Sequence, residues 1–440
     1  MEEKKIYGLI GIGIGPFNLG LAALAAPLDE LDTLFFDKRE KFDWHPGLMF
    51  DDATLQTPFL CDCVSMADPT SPFSFLNFLK QTGRLYRFFI RENFFVLRKE
   101  YNLYCQWVAQ QLAHCVFSSE VLELTYSDGL YQVRVKHLQE DRVETYHARK
   151  LVLGTGTKPS IPAGISIQQM PHVSHTAHYL YNRDEILKQP VISIVGSGQS
   201  AAEVFIDLLR RKAPKTQLNW LSRPDRFYPM EYAKLTLELT SPDYVDYFYH
   251  MPLETRRAML DRQKSQFKGI NYDLINEIYD ELYQQSVGGE EPKVYIQPNA
   301  QLEEVVPKLD GGYCLQFTHV EQGHSFSCDT DCLILATGYS YQEPACLRGI
   351  GHRLKRLPNG QFDVSRNYAI DMNGSEIYVQ HAEVHTHSYI STDLGMSAYR
   401  NSQIINDIVG KTVYQVEKRI AFQQFGVDQS ALALEKILSA

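Results

Sequence analysis

Two glycine-rich turns carry the most recognisable chemistry in this chain. In IYGLIGIGIGPFNLGLAAL, an apolar strand (Ile6 to Ile10) runs into Gly11, Gly13 and Gly15, and Pro16 opens a helix. Gly11 permits a tight turn, Gly13 lets backbone approach a pyrophosphate, and amides at the helix start face the phosphates. Pro16 holds the usual third glycine position and suits the first turn of a helix. The next strand, DTLFFDK, ends in Asp37 and Lys38, with Asp37 placed to bond a ribose hydroxyl. In VISIVGSGQSAAEVFIDLL the pattern returns with Gly196, Gly198 and Ala201, and Gln199 and Ser200 begin the helix. The following strand, TQLNWLSRPDR, ends in Ser222 and Arg223 instead of an acid. A cation there suits a 2'-phosphate, hence NADPH rather than NADH; the plain alternative is a solvated surface arginine. Two such sites mean two cofactors, most simply FAD and NADPH, which the protein orients and shields from water. LILATGYS agrees, because its turn at Thr337 and Gly338 can bring backbone near a cofactor. Glycine turns of purely structural use are the competing reading.

A second feature is LQTPFLCDCVSMADPTSPFSF, in which Cys61 and Cys63 flank Asp62. Two thiols and a carboxylate so close could form a metal site, a redox pair or a pocket wall. Positions i and i+2 of an extended segment share a face, so the thiols are poorly placed to bridge each other. Two ligands do not make a zinc site. The segment therefore reads as a pocket wall. Cys328 and Cys332 lack a second pair of ligands, and His381, His385 and His387 are close in sequence without a metal pattern. No metal is expected.

The elements that must position these groups alternate short apolar strands with helical runs, as βαβ units do. The 440 residues are 44% hydrophobic and 22% charged, enough for a large core. A formal charge of -10 leaves no electrostatic footprint for nucleic acid. No apolar run reaches the length of a membrane span, and no signal-peptide pattern opens the chain. The eight cysteines read as reduced thiols, so a cytoplasmic protein is expected. The expected fold class is α/β, with two Rossmann-like dinucleotide-binding domains, one inserted into the other, and a small mainly helical substrate-binding region. Residues 1–188 read as the first part of the FAD domain. Residues 189–290 read as the NADPH domain, with a helical substrate segment from about 225 to 290. Residues 291–440 read as the second part of the FAD domain, with a C-terminal substrate segment at about 381–410.

These pieces, in this order, resemble the flavin-dependent N-hydroxylating monooxygenases of siderophore biosynthesis, the lysine and ornithine N-monooxygenase family. The resemblance rests on GIGIGPFNLGLA, WHPGLMF, LQTPFLCD, DPTSPFSFLNFL, GSGQSAAE, NYDLI and LATGY, and covers nearly the whole chain. It implies that NADPH reduces FAD, that O2 adds to give a C4a-hydroperoxide, and that a primary amine takes the distal oxygen to become a hydroxylamine. By the same resemblance Gly11, Gly13, Gly15, Asp37, Trp44, His45, Gln56, Thr337 and Leu394 form the flavin shell. Gly196, Gly198, Gln199, Ser200 and Arg223 form the NADPH shell. Asn271 lies between substrate and nicotinamide, and with Gln56 it is the catalytic candidate; its simpler role is a helix N-cap. A homotetramer is implied as well.

The departures from that family bear on substrate. The amino-acid enzymes carry a lysine in FLKDL that clamps the substrate's α-carboxylate; here Cys61 of FLCDC stands in its place. They carry a serine where TDLGMS puts Gly395, and an asparagine that aligns with Leu237. Losing one charged hydrogen bond costs about 1.5–3 kcal/mol, so amino acids should bind poorly. A diamine, cadaverine or putrescine, is expected instead. Its far ammonium calls for an acceptor: Asp393 first, Glu383 or Glu238 otherwise. A lysine or ornithine N-monooxygenase with unusual carboxylate contacts is the alternative enzyme. A flavin-binding redox sensor is the alternative without catalysis.

Overall fold

The computed structural model describes residues 5–289 and 291–427. Its first unit is built on a seven-stranded sheet. Ile6–Ile12 lies at its centre, parallel to Thr33–Phe36 on one side and to the second half of Arg142–Leu153 on the other. Ile377–Val379 returns late in the chain to pair with that same long strand. The first half of Arg142–Leu153 continues into an antiparallel meander with Leu130–His137 and Ser119–Ser127. The central strands are mostly apolar and end in buried runs, as strands covered on both faces do. Pro16–Ala25 covers one face, burying eight of its ten residues.

The second unit is a five-stranded, all-parallel sheet in the order Val173–His175, Cys332–Leu335, Val191–Val195, Gln217–Leu221, Val294–Gln297. Gln199–Arg211 packs on it through an apolar face. An antiparallel three-stranded sheet, Ala300–Pro307, Tyr313–His319 and Ser325–Thr330, is appended to it. The fold is thus α/β with two dinucleotide-type units. Strand pairing sets wider limits on the inserted unit than 189–290. Val173–His175 belongs to the second sheet, and so do Val294–Gln297 and Cys332–Leu335. The chain returns to the first unit only after residue 335. Local apolar runs show where strands lie, whereas sheet membership depends on partners far away in sequence.

Between Lys234 and Ser286 the chain is helical. The run from Leu253 breaks after Lys268 because Gly269 crosses the backbone of Pro229 and Met230, where a Cβ would come within 2.5 Å of the Met230 nitrogen. Asn271 then starts the helix Tyr272–Ser286, its side chain accepting from the Asp273 and Leu274 amides. This satisfies two of the orphan donors of the first turn.

Candidate active site

The first glycine turn is held from beneath. Gly11 is still in the strand, and its missing side chain makes room for Phe35, whose ring would lie 2.0 Å from a Cβ. Gly13 has φ +88°, and a Cβ there would meet the Gly154 carbonyl at 2.5 Å. At Gly15 the nearest atom to an added Cβ is 4.0 Å away, so the helix opening faces free space. Asn18 donates to the Gly13 carbonyl and accepts from Gln380. The second turn repeats the plan. Gly196 (φ +148°) packs against the Ala336 carbonyl, and Gly198 has nothing nearer than 3.5 Å. Two open helix starts backed by close-packed turns fit two dinucleotide pyrophosphates. Arg223 is exposed beside the second turn, and its charge acts on Lys268, which follows Phe267 in the helical segment. Ser200 is half-buried at the same helix start, while Lys38 is exposed at the edge of the first unit.

Asp37 does a different job from the one its position implies. Its Oδ2 accepts from the Ile14 amide at 2.8 Å and from Arg39 Nη2; its Oδ1 accepts from Arg39 N and Nε. Burial opposes its ionisation, but Arg39 and the two amides outweigh this and hold the carboxyl below its usual range. Its acceptor sites are therefore filled by this chain, and it fixes the turn instead of offering itself to a ribose.

A run of ring contacts joins the two units. Trp44 and His45 are in contact at 5.0 Å, His45 meets Tyr339 at 5.5 Å, and Tyr339 meets His175 at 5.2 Å. His381 stands edge-on to Phe17 at 5.7 Å. His45 and His381 both adopt left-handed backbone (φ 50° and 69°), a conformation that is costly for residues with a side chain and clusters at functional sites. Burial pushes His45, His175 and His381 each down to about 4, so all three are neutral at pH 7. Thr337 donates to the Ser160 carbonyl, and the Gly338 carbonyl faces His175 Nε2 at 3.0 Å, tying the crossover between the units. Gln56 reaches across to Gln199 at 3.1 Å. His385 and His387 face the backbone carbonyls of Phe362 and Arg366.

The fold also gathers Cys61, Asp393 and Gly395. A Cβ on Gly395 would lie 3.1 Å from Cys61 Sγ and 3.2 Å from Asp393 Oδ1, closer than ordinary packing, so a serine here would crowd both side chains. Gly395 donates its amide to Asp393 at 2.7 Å. The charge of Asp393 is felt by Cys61, Tyr232 and Tyr389. Tyr389 stacks on Phe267 at 5.1 Å, and the Tyr232 hydroxyl is buried without a partner among the described residues. Burial and then Asp393 push the Cys61 thiol up to about 12, so it is a neutral thiol. Leu394 is half-buried against the core of the first unit.

Other expectations need correction. Residues 59–66 form successive turns, not an extended segment. Asp62 causes this by accepting from Val64 N, Ser65 N, Ser65 Oγ and Phe75 N. The two thiols therefore diverge: Cys61 lies beside Gly395 and Asp393, and Cys63 is buried against Cys105. Glu383 is unavailable to a ligand because it is fully buried in an ion pair with Arg400. Glu238 is occupied by the Phe422 and Gln423 amides. Leu237 is 45% exposed. Sequence reasoning gave no role to Tyr232 or Arg98, which sit in no motif, or to Glu203, the last residue of GSGQSAAE; only the fold shows their surroundings.

Two open dinucleotide cradles, on units joined by a run of rings, fit a two-cofactor oxidoreductase. The family model for L-lysine 6-monooxygenase/L-ornithine 5-monooxygenase matches residues 5–341. The chain belongs to this family, the FAD- and NADPH-dependent N-hydroxylating monooxygenases. It is 47% identical over 426 residues to a putrescine N-hydroxylase of Shewanella oneidensis, covering 96% of this chain and 85% of that protein. It is similar to the FAD-bound crystal structure of DfoA, the cadaverine monooxygenase of the desferrioxamine pathway of Erwinia amylovora. That likeness has TM-score 0.93 and 45% identity, over 97% of this chain and 99% of the other. An ornithine N-hydroxylase of a Kutzneria species with reduced FAD, NADP+ and L-ornithine matches at TM-score 0.85 and 26% identity, over 92% and 99%.

Proposed function

We propose that the enzyme N-hydroxylates an aliphatic diamine, putrescine or cadaverine, for hydroxamate siderophore biosynthesis, with the far ammonium of the substrate on Asp393. The observation that carries this is the state of Asp393 relative to the other enclosed acids. Asp37, Glu100, Glu203 and Glu383 each pair with an arginine. Asp62 and Asp371 each accept several backbone amides. Asp393 has one amide, and its pKa is raised by burial with no cation to offset it. An enclosed carboxylate without a counter-charge is costly unless a ligand supplies one. The diamine enzymes among its relatives support the same reading.

FAD, reduced by NADPH, would supply when bound the electrons that activate O2, one of whose oxygen atoms goes to the amine and the other to water. The remaining work falls to this chain. Gly13, Gly15, Gly196 and Gly198 admit the cofactor phosphates. Asp393 anchors one end of the diamine, so that the other end is held for reaction. That end must be neutral to attack, and an alkylamine of pKa about 10.4 costs roughly 4–5 kcal/mol to deprotonate at pH 7. The neutral imidazoles, held at about 4, are too weak to take that proton. Desolvation on binding lowers the amine's own pKa instead. The same dry surroundings protect the activated oxygen from water.

The amine panel tests the reading. Hydroxylamine formation with NADPH is expected with putrescine or cadaverine and to be at least ~30-fold weaker in kcat/KM with lysine or ornithine, whose α-carboxylate faces Asp393. Efficient turnover of an amino acid with no turnover of a diamine would reject it. Hydroxylamine must be the readout, because uncoupled NADPH oxidation would mislead.

We also infer a homotetramer acting in the cytoplasm. The helix Leu85–Arg91 buries none of its residues, and Tyr86, Phe89, Ile90 and Phe94 are 68–76% exposed. A contiguous apolar patch of this kind is characteristic of subunit contacts. No helix among the described residues is long and apolar enough to cross a membrane. Light scattering should give four chains per particle, and Phe89→Asp should yield smaller species. A monomeric parent would reject the assembly.

A further inference from the structure

A chain of side-chain contacts crosses from one unit to the other and ends at the cofactor cleft. Arg98 begins the helix Arg98–Gln111 of the first unit, and Glu203 lies in Gln199–Arg211 of the second. Their side chains are only 12% and 8% exposed. Arg98 Nη2 donates to Glu203 Oε1 at 2.7 Å and Nη1 to Oε2 at 3.1 Å, a two-pronged pair, and Nη1 also donates to the Leu48 carbonyl. Glu203 Oε1 accepts from Gln199 Nε2 at 2.9 Å. Gln199 Oε1 accepts from the Asn271 amide at 2.8 Å and from Gln56 Nε2 at 3.1 Å.

We propose that Arg98 and Glu203 are positioning residues, an ion pair between the two units that fixes the orientation of the Gln199 and Gln56 amides at the cofactor cleft. The argument is one of donors and acceptors. The Asn271 amide can only donate, so it requires the oxygen of Gln199. Glu203, ionised and held by Arg98, can only accept, so it requires the nitrogen of Gln199. Both ends of the Gln199 amide are thereby assigned independently and agree. Gln56 must then turn its nitrogen to Gln199, which leaves its carbonyl oxygen for another donor. Without the charge on Glu203, Gln199 loses one of its two constraints and Gln56 can flip. The pair also fastens the helix start that receives the NADPH phosphates onto the first unit. Buried fork-to-fork pairs of this geometry are specific in direction as well as strong.

The test is Glu203→Gln, which keeps size and removes the acceptor-only charge. The expected result is an FAD-containing enzyme with a shifted flavin absorption spectrum and NADP+ binding weakened about tenfold, followed by titrating the spectrum with NADP+. Hydroxylamine formed per NADPH oxidised should fall to a similar degree, since misplacement near 1 Å in an oriented site can cost about 100-fold. A lowered melting temperature with parental spectrum, NADP+ affinity and coupling would show a purely structural pair and overturn the proposal. If Glu203→Gln does not retain FAD, Arg98→Lys decides by the same readouts. It keeps the charge but loses the fork, so it should move them in the same direction, and parental values would overturn the proposal. None of these readouts except coupling depends on the identity of the amine.

Discussion

Replacing Asp393 with alanine should lower kcat/KM for a diamine by about 100-fold or more, because losing one partner of a desolvated ion pair costs about 3–5 kcal/mol. The loss should fall mainly on KM, since the far ammonium is bound alike before and during oxygen transfer. NADPH oxidation without amine should stay near the parental rate, as Asp393 meets Cys61, Tyr232 and Tyr389 rather than either glycine turn. The acid limb of the pH profile gives a second reading. Burial raises the Asp393 carboxyl above its ordinary value. As pH falls through that raised value the carboxylate takes a proton and diamine affinity is lost; above it, affinity is fully present. Asp393→Asn should remove this limb from KM and leave the dependence of kcat on amine deprotonation. Unchanged diamine kinetics in Asp393→Ala would place the ammonium elsewhere.

How much of this was legible follows from how local each signal is. The glycine turns, their flanking strands and the Asn271 cap are written in contiguous residues, and they stand where the patterns put them. Cys61 and Gly395 were linked by likeness to a family, Asp393 by standing two residues before Gly395, and the fold brings the three within reach of one another. What stayed hidden depends on distant partners. Asp37 reads as a ribose acid until Arg39 and Ile14 are seen to fill its oxygens. Glu383 reads as a free acid until Arg400 is found beside it. The reach of the second sheet from residue 173 to 335 depends on pairing that no local window contains. The left-handed backbone at His45 and His381 carries no sequence signal, because strain of that kind is imposed by surrounding structure.

Cys61→Lys should be as damaging to diamine use as the loss of Asp393, for a different physical reason. Cys61 Sγ and Asp393 Oδ1 flank the same point in front of Gly395, at 3.1 and 3.2 Å. A lysine ammonium at position 61 can therefore reach the carboxylate. It would neutralise Asp393 from within and repel the incoming ammonium, two unit charges about 4 Å apart interacting by about 4 kcal/mol at an effective dielectric of 20. A fall of about 100-fold or more in diamine kcat/KM is expected. The native thiol, neutral because burial and Asp393 push it up to about 12, imposes no such penalty. Little gain with lysine or ornithine should follow from Cys61→Lys alone, since Asp393 would hold the new ammonium and repel an α-carboxylate. Adding Asp393→Asn frees that ammonium, so the double variant should favour lysine or ornithine over the diamine that the parent prefers. Reversal in the double variant and not in Cys61→Lys would establish that charge balance in this pocket selects the substrate. Parental diamine kinetics in Cys61→Lys would remove Cys61 from the pocket wall.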